Sequence, residues 1–319
     1  SVEGAAICKF LLSQGFVNIT AHDFCEAENF ERQFMLVHVG MNRKDRKELF
    51  DWLSAQPITK KFGEEYLSGI DESDLIFATQ AWFIYKNNFP ALAQAKEKGI
   101  PFCSITELYF DLSPCTIVGI TGTHGKSTTT RMVHEILSTG PHKIYFAGNE
   151  RHSVQVLDQI VNMTAEDILL LEISNRQLRG LKRSPHIAAI TNVYPNHLDE
   201  HGTFDDYINT KRSILEYQKP NEVIILNYDN PITNSFEKSV HSKLIWFSTQ
   251  YQGLVGPFLK EQSIYINTGS GIQKVGNVSE LAISGTHNIE NVLAALAIGF
   301  SIGINIEVMW KVLCNFKGI

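Results

Sequence analysis

The chain of 319 residues sets 28 Lys and Arg against 34 Asp and Glu, a formal charge of 28 − 34 = −6, with 44% hydrophobic and 19% charged residues. This is an ordinary globular composition, long enough for two domains that each bury a core. It argues against wrapping nucleic acid, since no basic block offsets the acidic balance, and against membrane insertion, since no apolar run approaches the ~18 residues of a span. No charged n-region precedes an apolar core, so secretion is not expected either. Cys8, Cys25, Cys103, Cys115 and Cys314 are scattered without CxxC spacing, as in the reduced thiols of a cytoplasmic protein.

Residues 2–15 place Ala6, Ile7, Phe10 and Leu11 on one helical face and stop at Gly15. Val17–Ala21 reads as a strand closing on Asp23. A helix followed by a strand ending in an acid is half of a dinucleotide-type βαβ unit, where the acid receives a ribose or a base; a solvated turn acid is the alternative. Phe34–Val39 reads as a strand, Arg43–Leu53 as a helix and Leu75–Ala78 as a strand. Pro90–Lys98 reads as a helix stopped by Gly99-Ile-Pro101, and Phe102–Ile105 as a short strand. With a linker at Asp111–Pro114, the chain is expected to be α/β, with a Rossmann-like domain over residues 1–112 and a second domain over 113–319.

The second domain opens on its most informative stretch. Thr116–Ile120 is an apolar, β-branched run, followed by Gly122-Thr-His-Gly-Lys-Ser-Thr128 and a helix carrying Met132, Val133, Ile136 and Leu137. A strand, a glycine loop and a helix make a phosphate cradle: glycines let backbone N–H groups approach oxyanions, and the helix start adds positive field. Lys126 would neutralise phosphate charge and the Ser127 hydroxyl would ligate Mg²⁺. The general G-x-x-x-x-G-K-[ST] pattern is not met, since Ile120 stands five before Gly125, so this is a shortened, Thr-rich variant.

Lys143–Ala147 reads as a strand delivering Gly148-Asn149, and Asp167–Glu172 as a central parallel strand ending on an acid. At a strand's carboxyl end Glu172 should face the phosphate crevice and suit Mg²⁺; a plain surface glutamate is the alternative. Ile187–Asn192 runs into a loop carrying His197, Asp199 and His201, where metal or substrate ligands gather. Thr203 caps a helix through Gln218, with Asp205 and Asp206 in its first turn and Lys211 midway; alone, Lys211 would be a snorkelling surface lysine. Glu222–Leu226 and Leu244–Ser248 read as strands, and Ser263–Ile266 with Gly271–Val275 as a small β-subsheet. Gly285-Thr-His-Asn-Ile-Glu-Asn291 opens a helix with an apolar face of Ile289, Val292, Leu293, Leu296, Ala297 and Phe300. Asn288 and Asn291 each offer donor and acceptor to a purine edge, or Asn288 simply caps the helix.

Together, Thr121–Thr128, Glu172, Asn192-Val-Tyr-Pro-Asn-His-Leu-Asp199, Lys211 and Gly285–Asn291 resemble the Mur ligases, the ATP-dependent amide-forming ligases of peptidoglycan precursor synthesis. The Rossmann-like start and Leu171-Glu-Ile-Ser-Asn-Arg-Gln-Leu178 favour the members that add D-glutamate. The resemblance implies that Gly122, Thr123, His124, Gly125, Lys126, Ser127 and Thr128 hold ATP phosphates while Asn288 and Asn291 read adenine. It implies two Mg²⁺ sites, one on Ser127 and Glu172, the other on His197 and a carbamylated Lys211. Lys126, Glu172, His197 and Lys211 would be the catalytic set. Asn149, Ser174, Gln177 and His197 would lie along the muramoyl substrate, with Asp23 near uracil. The implied reaction joins UDP-N-acetylmuramoyl-L-alanine to D-glutamate through an acyl phosphate, in a cytoplasmic monomer. Two alternatives remain: a sister ligase adding L-alanine or acting on another acid, and a nucleotide-binding partner subunit that does not ligate.

Departures from the family pattern are Thr79-Gln-Ala-Trp82 for Ser-Pro-Gly, Asn175-Arg176 for Ser-Phe, and Glu-Arg-His after Asn149. Both chain ends look cut. The family's third domain, which binds the amino acid and closes over ATP, begins after a Phe-x-Gly-hydrophobic segment, here Phe316–Ile319, where the chain stops. A fragment lacking that C-terminal domain is expected to bind nucleotide yet turn over slowly or not at all.

Overall fold

The computed structural model describes residues 2–36, 42–79, 82, 88–149, 155–196, 203–250 and 253–318. The chain divides into two compact units, Ser1–Ser113 with Glu150–Met163, and Pro114–Asn149 with Thr164–Ile319.

The first unit runs α1 (Val2–Ser13), β1 (Thr20–His22), α2 (Phe30–Leu36), α3 (Arg43–Ala55), β2 (Thr59–Lys61), β3 (Ile76–Phe77), α4 (Phe89–Glu97), β4 (Phe102–Cys103) and α5 (Ile105–Leu112). β1 pairs with β2 and β3 with β4, both parallel, as helical crossovers require. Two expectations fail here. Phe34–Leu36 end a helix rather than start a strand; residues 37–39 lie outside the described ones. Phe30 and Phe34, four apart, share a helical face, and both rings pack on Phe50 of α3, so tertiary packing overrides β-propensity. Ile105 is the first residue of α5, set there by a capping box: Ser104 Oγ accepts the Glu107 N–H at 3.2 Å and the Glu107 carboxylate accepts the Ser104 N–H at 2.7 Å.

The second unit is built on a six-stranded, all-parallel sheet. Its strands are β5 (Thr116–Thr121), β6 (Ile144–Gly148), β7 (Ile168–Glu172), β8 (Ile187–Ile190), β9 (Val223–Asn227) and β10 (Lys243–Phe247), in the order β10-β9-β8-β5-β7-β6. The chain leaves β5 through α6 (Lys126–Leu137) toward one edge, returns to β7, then crosses to β8 on the other side. β5 is therefore the switch point, and ligands of such sheets bind at the carboxyl ends there. Both faces are buried, so the strands are apolar throughout rather than alternating. Val118, Ile120, Leu170, Ala189 and Ile225 pack with Met132, Val133 and Ile136 of α6 against α10 (Thr286–Ile302) and α11 (Ile306–Asn315). On the sequence, α10 carries one apolar face. In the fold every residue from Asn291 to Gly299 is buried, because α6, α11, β9, β10 and the small sheet surround it.

The remaining helices are short α7 (Asn175–Leu178), α8 (Phe204–Glu216) and α9 (Pro231–Ser235). α8 begins at Thr203, whose hydroxyl oxygen accepts the Asp206 N–H at 3.1 Å. The small sheet has three antiparallel strands, β11 (Gly256–Lys260), β12 (Ser263–Asn267) and β13 (Ile272–Asn277), one more than the sequence predicts. β11 is an edge strand, which tolerates the Pro257 that hides it from pattern reading.

Candidate functional site

Thr121 closes β5, and the chain turns through Gly122 (φ 150°) to Gly125 (φ 80°), the residue that caps α6. Both glycines are required. A Cβ on Gly122 would lie 1.9 Å from Thr191 Oγ1, and one on Gly125 2.2 Å from Asn291 Oδ1. No side chain caps α6, and Thr129 N–H is bonded back to Gly125 O at 2.9 Å. First-turn N–H groups thus stand at the positive end of the helix, facing where an anion would sit. Lys126 Nζ donates to the carbonyls of Gly122 (3.0 Å) and Thr123 (3.1 Å), which holds a cation at the mouth of the loop.

The carboxyl end of β8 grips the loop from the side. Asn192 pairs with His124, Thr191 Oγ1 donates to the His124 carbonyl at 2.7 Å, and Asn192 O accepts the Thr123 N–H at 2.9 Å. Thr123 is buried, and its hydroxyl oxygen accepts the Tyr194 N–H at 2.9 Å and pairs with the Tyr207 hydroxyl at 3.1 Å. Its N–H and hydroxyl are thus engaged with protein rather than turned toward phosphate, whereas the His124 ring is exposed.

Two buried charged side chains stand beside the loop. Glu172, at the end of β7, is 2% exposed; Oε1 accepts from Asn149 Nδ2 at 2.9 Å, and Oε2 has no hydrogen-bond partner among the described residues. The Asn149 N–H also donates to the Glu172 carbonyl at 2.7 Å, and a Cβ on Gly148 would lie 2.2 Å from that oxygen. An uncommitted, buried carboxylate oxygen is a donor suited to a hard cation, so Glu172 fits Mg²⁺. Lys211 is 1% exposed; Nζ donates to Thr121 Oγ1 (2.9 Å) and Gly122 O (3.0 Å) and lies 5.5 Å from the Tyr207 ring centre. It is thus no snorkelling surface lysine. Burial pushes its amine well below the ordinary lysine range, the Lys126 charge pushes the same way, and Glu172 opposes both. An ammonium cannot ligate a cation and Mg²⁺ takes oxygen rather than amine nitrogen, so Lys211 fits Mg²⁺ only when modified to carry oxygen. His197, Asp199 and His201 lie outside the described residues, and among those described no three His, Cys, Asp or Glu group as a metal cluster.

The start of α10 meets this loop. Asn291 Oδ1 accepts from Thr129 Oγ1 at 3.2 Å, and its Nδ2 reaches Asn288 Oδ1 at 3.4 Å. Asn288 does not cap the helix; its Nδ2 donates to Ser284 O at 2.8 Å. Sequence reading missed Asn227 and Glu290. Asn227 Nδ2 donates to Thr191 O (3.0 Å) and reaches Glu290 Oε2 (3.5 Å), tying α10 to the strands that grip the loop. Burial raises the Glu290 carboxyl, and nearby Asp229 adds to the rise. Ser174 and Gln177 form a capping box on α7: Ser174 Oγ accepts the Gln177 N–H (3.3 Å) and Gln177 Oε1 accepts the Ser174 N–H (3.0 Å). The Ser-x-x-Gln spacing carries that signal. Ser127 and Thr128 are half-buried in the first turn of α6.

In the first unit, Asp23 borders a cavity of about 1080 Å³ together with Gly4, Lys61, Thr79 and Trp82. Asp23 Oδ1 accepts the Cys25 N–H at 3.1 Å. His22 lines the same space; burial lowers its ring below the ordinary histidine range, and its Nδ1 bonds the Tyr66 carbonyl.

Residues 120–299 match the profile of the Mur ligase middle domain. A curated UDP-N-acetylmuramoylalanine--D-glutamate ligase from Clostridium tetani (strain Massachusetts / E88) is 34% identical over 88% of this chain and 60% of its own length. The enzyme of that name from Symbiobacterium thermophilum is 31% identical over 100% of this chain and 66% of its own. The chain thus spans about 60–66% of the length of these relatives. Among solved structures, a UDP-N-acetylmuramate:L-alanyl-gamma-D-glutamyl-meso-diaminopimelate ligase from Neisseria meningitides aligns with a TM-score of 0.62 at 17% identity, over 100% of this chain and 95% of its own. A pseudomurein peptide ligase type C from Methanothermus fervidus gives 0.56 at 19%, over 100% and 69%. These structural likenesses carry the α/β fold with its mostly parallel central sheet. With the profile spanning more than half of its residues, the chain belongs to the Mur ligase family.

Proposed function

We propose that this chain forms the uridine-nucleotide and ATP-binding part of a ligase that adds D-glutamate to UDP-N-acetylmuramoyl-L-alanine in peptidoglycan precursor synthesis, as a cytoplasmic monomer. The names of the two curated relatives support the substrates. The observation that carries the chemistry is the unpartnered Oε2 of buried Glu172, at the strand end adjoining the phosphate loop. A nucleotide switch that does not ligate would need no second metal, so Glu172, His197 and Lys211 together favour phosphoryl transfer to a carboxylate over that reading. Ser127 and Glu172 would hold one Mg²⁺, and His197 with a carbamylated Lys211 a second; the metals would neutralise charge on the transferring phosphoryl oxygens.

The residues of the chain supply the rest by position and charge. Lys126 and the first-turn N–H groups of α6 would draw the phosphates onto the helix end, and Asn288 and Asn291 would border the base. The muramoyl carboxylate would attack the γ-phosphorus, giving an acyl phosphate and ADP. The amine of D-glutamate would then attack the acyl carbon and release phosphate. A neutral amine, the form toward which burial shifts Lys211, is the one that adds CO₂, yielding a carbamate and a proton; intact mass measured in bicarbonate buffer checks for the added group. In the first unit, Asp23 and the cavity beside it would take uracil and ribose, with Asn149, Ser174 and Gln177 along the muramoyl group.

Calorimetric titration with UDP-N-acetylmuramoyl-L-alanine and with UDP-N-acetylmuramic acid tests the reading. Tighter binding of the alanyl compound is expected. Preference for the unextended acid would assign an alanine-adding ligase instead. Binding of neither, with ATP still bound, would remove the muramoyl substrate from the proposal.

A further inference from the structure

The end of β8 holds the phosphate loop by more than sheet pairing requires. Asn192 is 6% exposed; its Oδ1 accepts the His124 N–H at 2.9 Å and its Nδ2 donates to the His124 carbonyl at 3.1 Å. A primary amide offers acceptor and donor side by side, so it pairs with both polar atoms of one residue as a neighbouring strand would. Thr191 Oγ1 donates to the same carbonyl at 2.7 Å, which fills both lone pairs of that oxygen. The Thr123 N–H is taken by Asn192 O. The amides at 123 and 124 are therefore committed inward, and the chain has to reverse at Gly125 before α6 begins. That reversal sets which N–H groups face the anion.

We propose that Asn192 is a positioning residue for phosphoryl transfer: its side-chain amide fixes the His124 peptide and so holds the loop in its phosphate-receiving form before ATP arrives. The proposal rests on the reading of this loop as the ATP site. A buried amide that merely stabilised the fold would act differently, and Gln218 provides the comparison. It is also 6% exposed, and its Nε2 donates to Pro185 O (3.0 Å) and Val223 O (2.8 Å) at the amino ends of β8 and β9, the opposite end of the sheet from the loop.

The test measures MgATP affinity by calorimetry on the whole chain, well below the unfolding temperature of each protein, for wild type, Asn192→Ala, Asn192→Asp and Gln218→Ala. Loss of two ordinary hydrogen bonds on the loop should weaken ATP by at least about fivefold in Asn192→Ala. Asn192→Asp should lose at least as much, because its carboxylate faces the His124 carbonyl. Gln218→Ala should lower the unfolding temperature yet stay within about twofold of wild type in ATP affinity. A smaller loss in Asn192→Ala, or an equal loss in Gln218→Ala, overturns the proposal and leaves the ATP reading standing. Wild type that fails to bind ATP overturns both. Should the Asn192 variants not fold, amide exchange in nucleotide-free wild type decides. Protected Thr123 and His124 amides are expected, and exchange at the rate of an open loop overturns the assignment.

Discussion

Replacing Glu172 with Gln separates what this carboxylate costs the fold from what it does for a cation. Without metal, Glu172 is a buried carboxylate with, among the described residues, one hydrogen bond, from Asn149, and one oxygen without a partner. An unsatisfied buried polar atom costs about 1–3 kcal/mol, more when the group is charged. Gln keeps an oxygen for Asn149 and removes the charge, while its Nε2 takes the unpartnered place of Oε2, so only the part of the cost that comes from charge is relieved. The attraction to Lys211 that is lost with the charge is a smaller influence on that amine than its burial. Metal-free Glu172→Gln should therefore be more stable than wild type by about 1 kcal/mol, or about 2–4 °C in melting temperature. With MgATP at about a hundredfold excess over its Kd, wild type gains about 2.7 kcal/mol, and a variant unable to engage the metal gains much less. The two melting temperatures should thus exchange order when MgATP is added, as read by scanning fluorimetry with and without it. A variant that melts below wild type in the absence of ligand, or that gains as much from MgATP, would refute the reasoning.

Gly125→Ala places a side chain at φ 80°, which costs about 1–2 kcal/mol, and drives it into Asn291, so it should abolish ATP binding. Gly180→Ala (φ 82°, open space around the Cβ) should destabilise similarly but leave ATP affinity intact, and calorimetry distinguishes the pair. For Lys211, the folded-state pKa lies below the unfolded one, so the unfolded chain binds more protons between the two values and stability rises with pH across that window. Denaturant midpoints taken from neutral pH to about pH 10 should climb in wild type more steeply than in Lys211→Met, approaching the ordinary lysine value; parallel profiles would exclude the buried-amine account. Burial, with Asp23 as hydrogen-bond partner and nearby charge, pushes the Cys25 thiol up to about 12. Iodoacetamide at pH 8 should leave Cys25 unmodified in the native chain and label it in urea, as peptide mapping would show, and rapid native labelling would count against this burial.

The phosphate loop and the parallel strands were legible because their signals are local. Val118 and Ile120 form an apolar run, and glycines fall where the backbone must turn. Asp167–Glu172 reads as a central strand because both of its faces are buried, which leaves no alternation. The start of α8 could be read from Thr203 for the same reason. Less legible were features decided at a distance. Phe34 joins a helix because Phe50 of α3 offers a partner ring. The grip of Asn192 on His124 spans 68 positions in sequence, and no spacing rule announces it. Ser174 and Gln177 carried a helix-start signal that a ligand reading obscured.

The first unit is discontinuous, and this sets an order on its folding. Tyr109, wholly buried in α5, donates to Gln155 Oε1 at 3.1 Å and accepts the Val156 N–H at 3.0 Å, while Lys9 of α1 pairs with Asp158 at 2.5 Å. These partners emerge from a ribosome only after Pro114–Asn149 has been made, so the nascent first unit cannot close until β5, α6 and β6 have passed. During that interval β5 has neither of its sheet neighbours, since β7 and β8 are still to come. The apolar strand bearing the phosphate loop thus waits unpaired while the earlier half of the chain completes itself. The first unit to begin can close only after the second has been started.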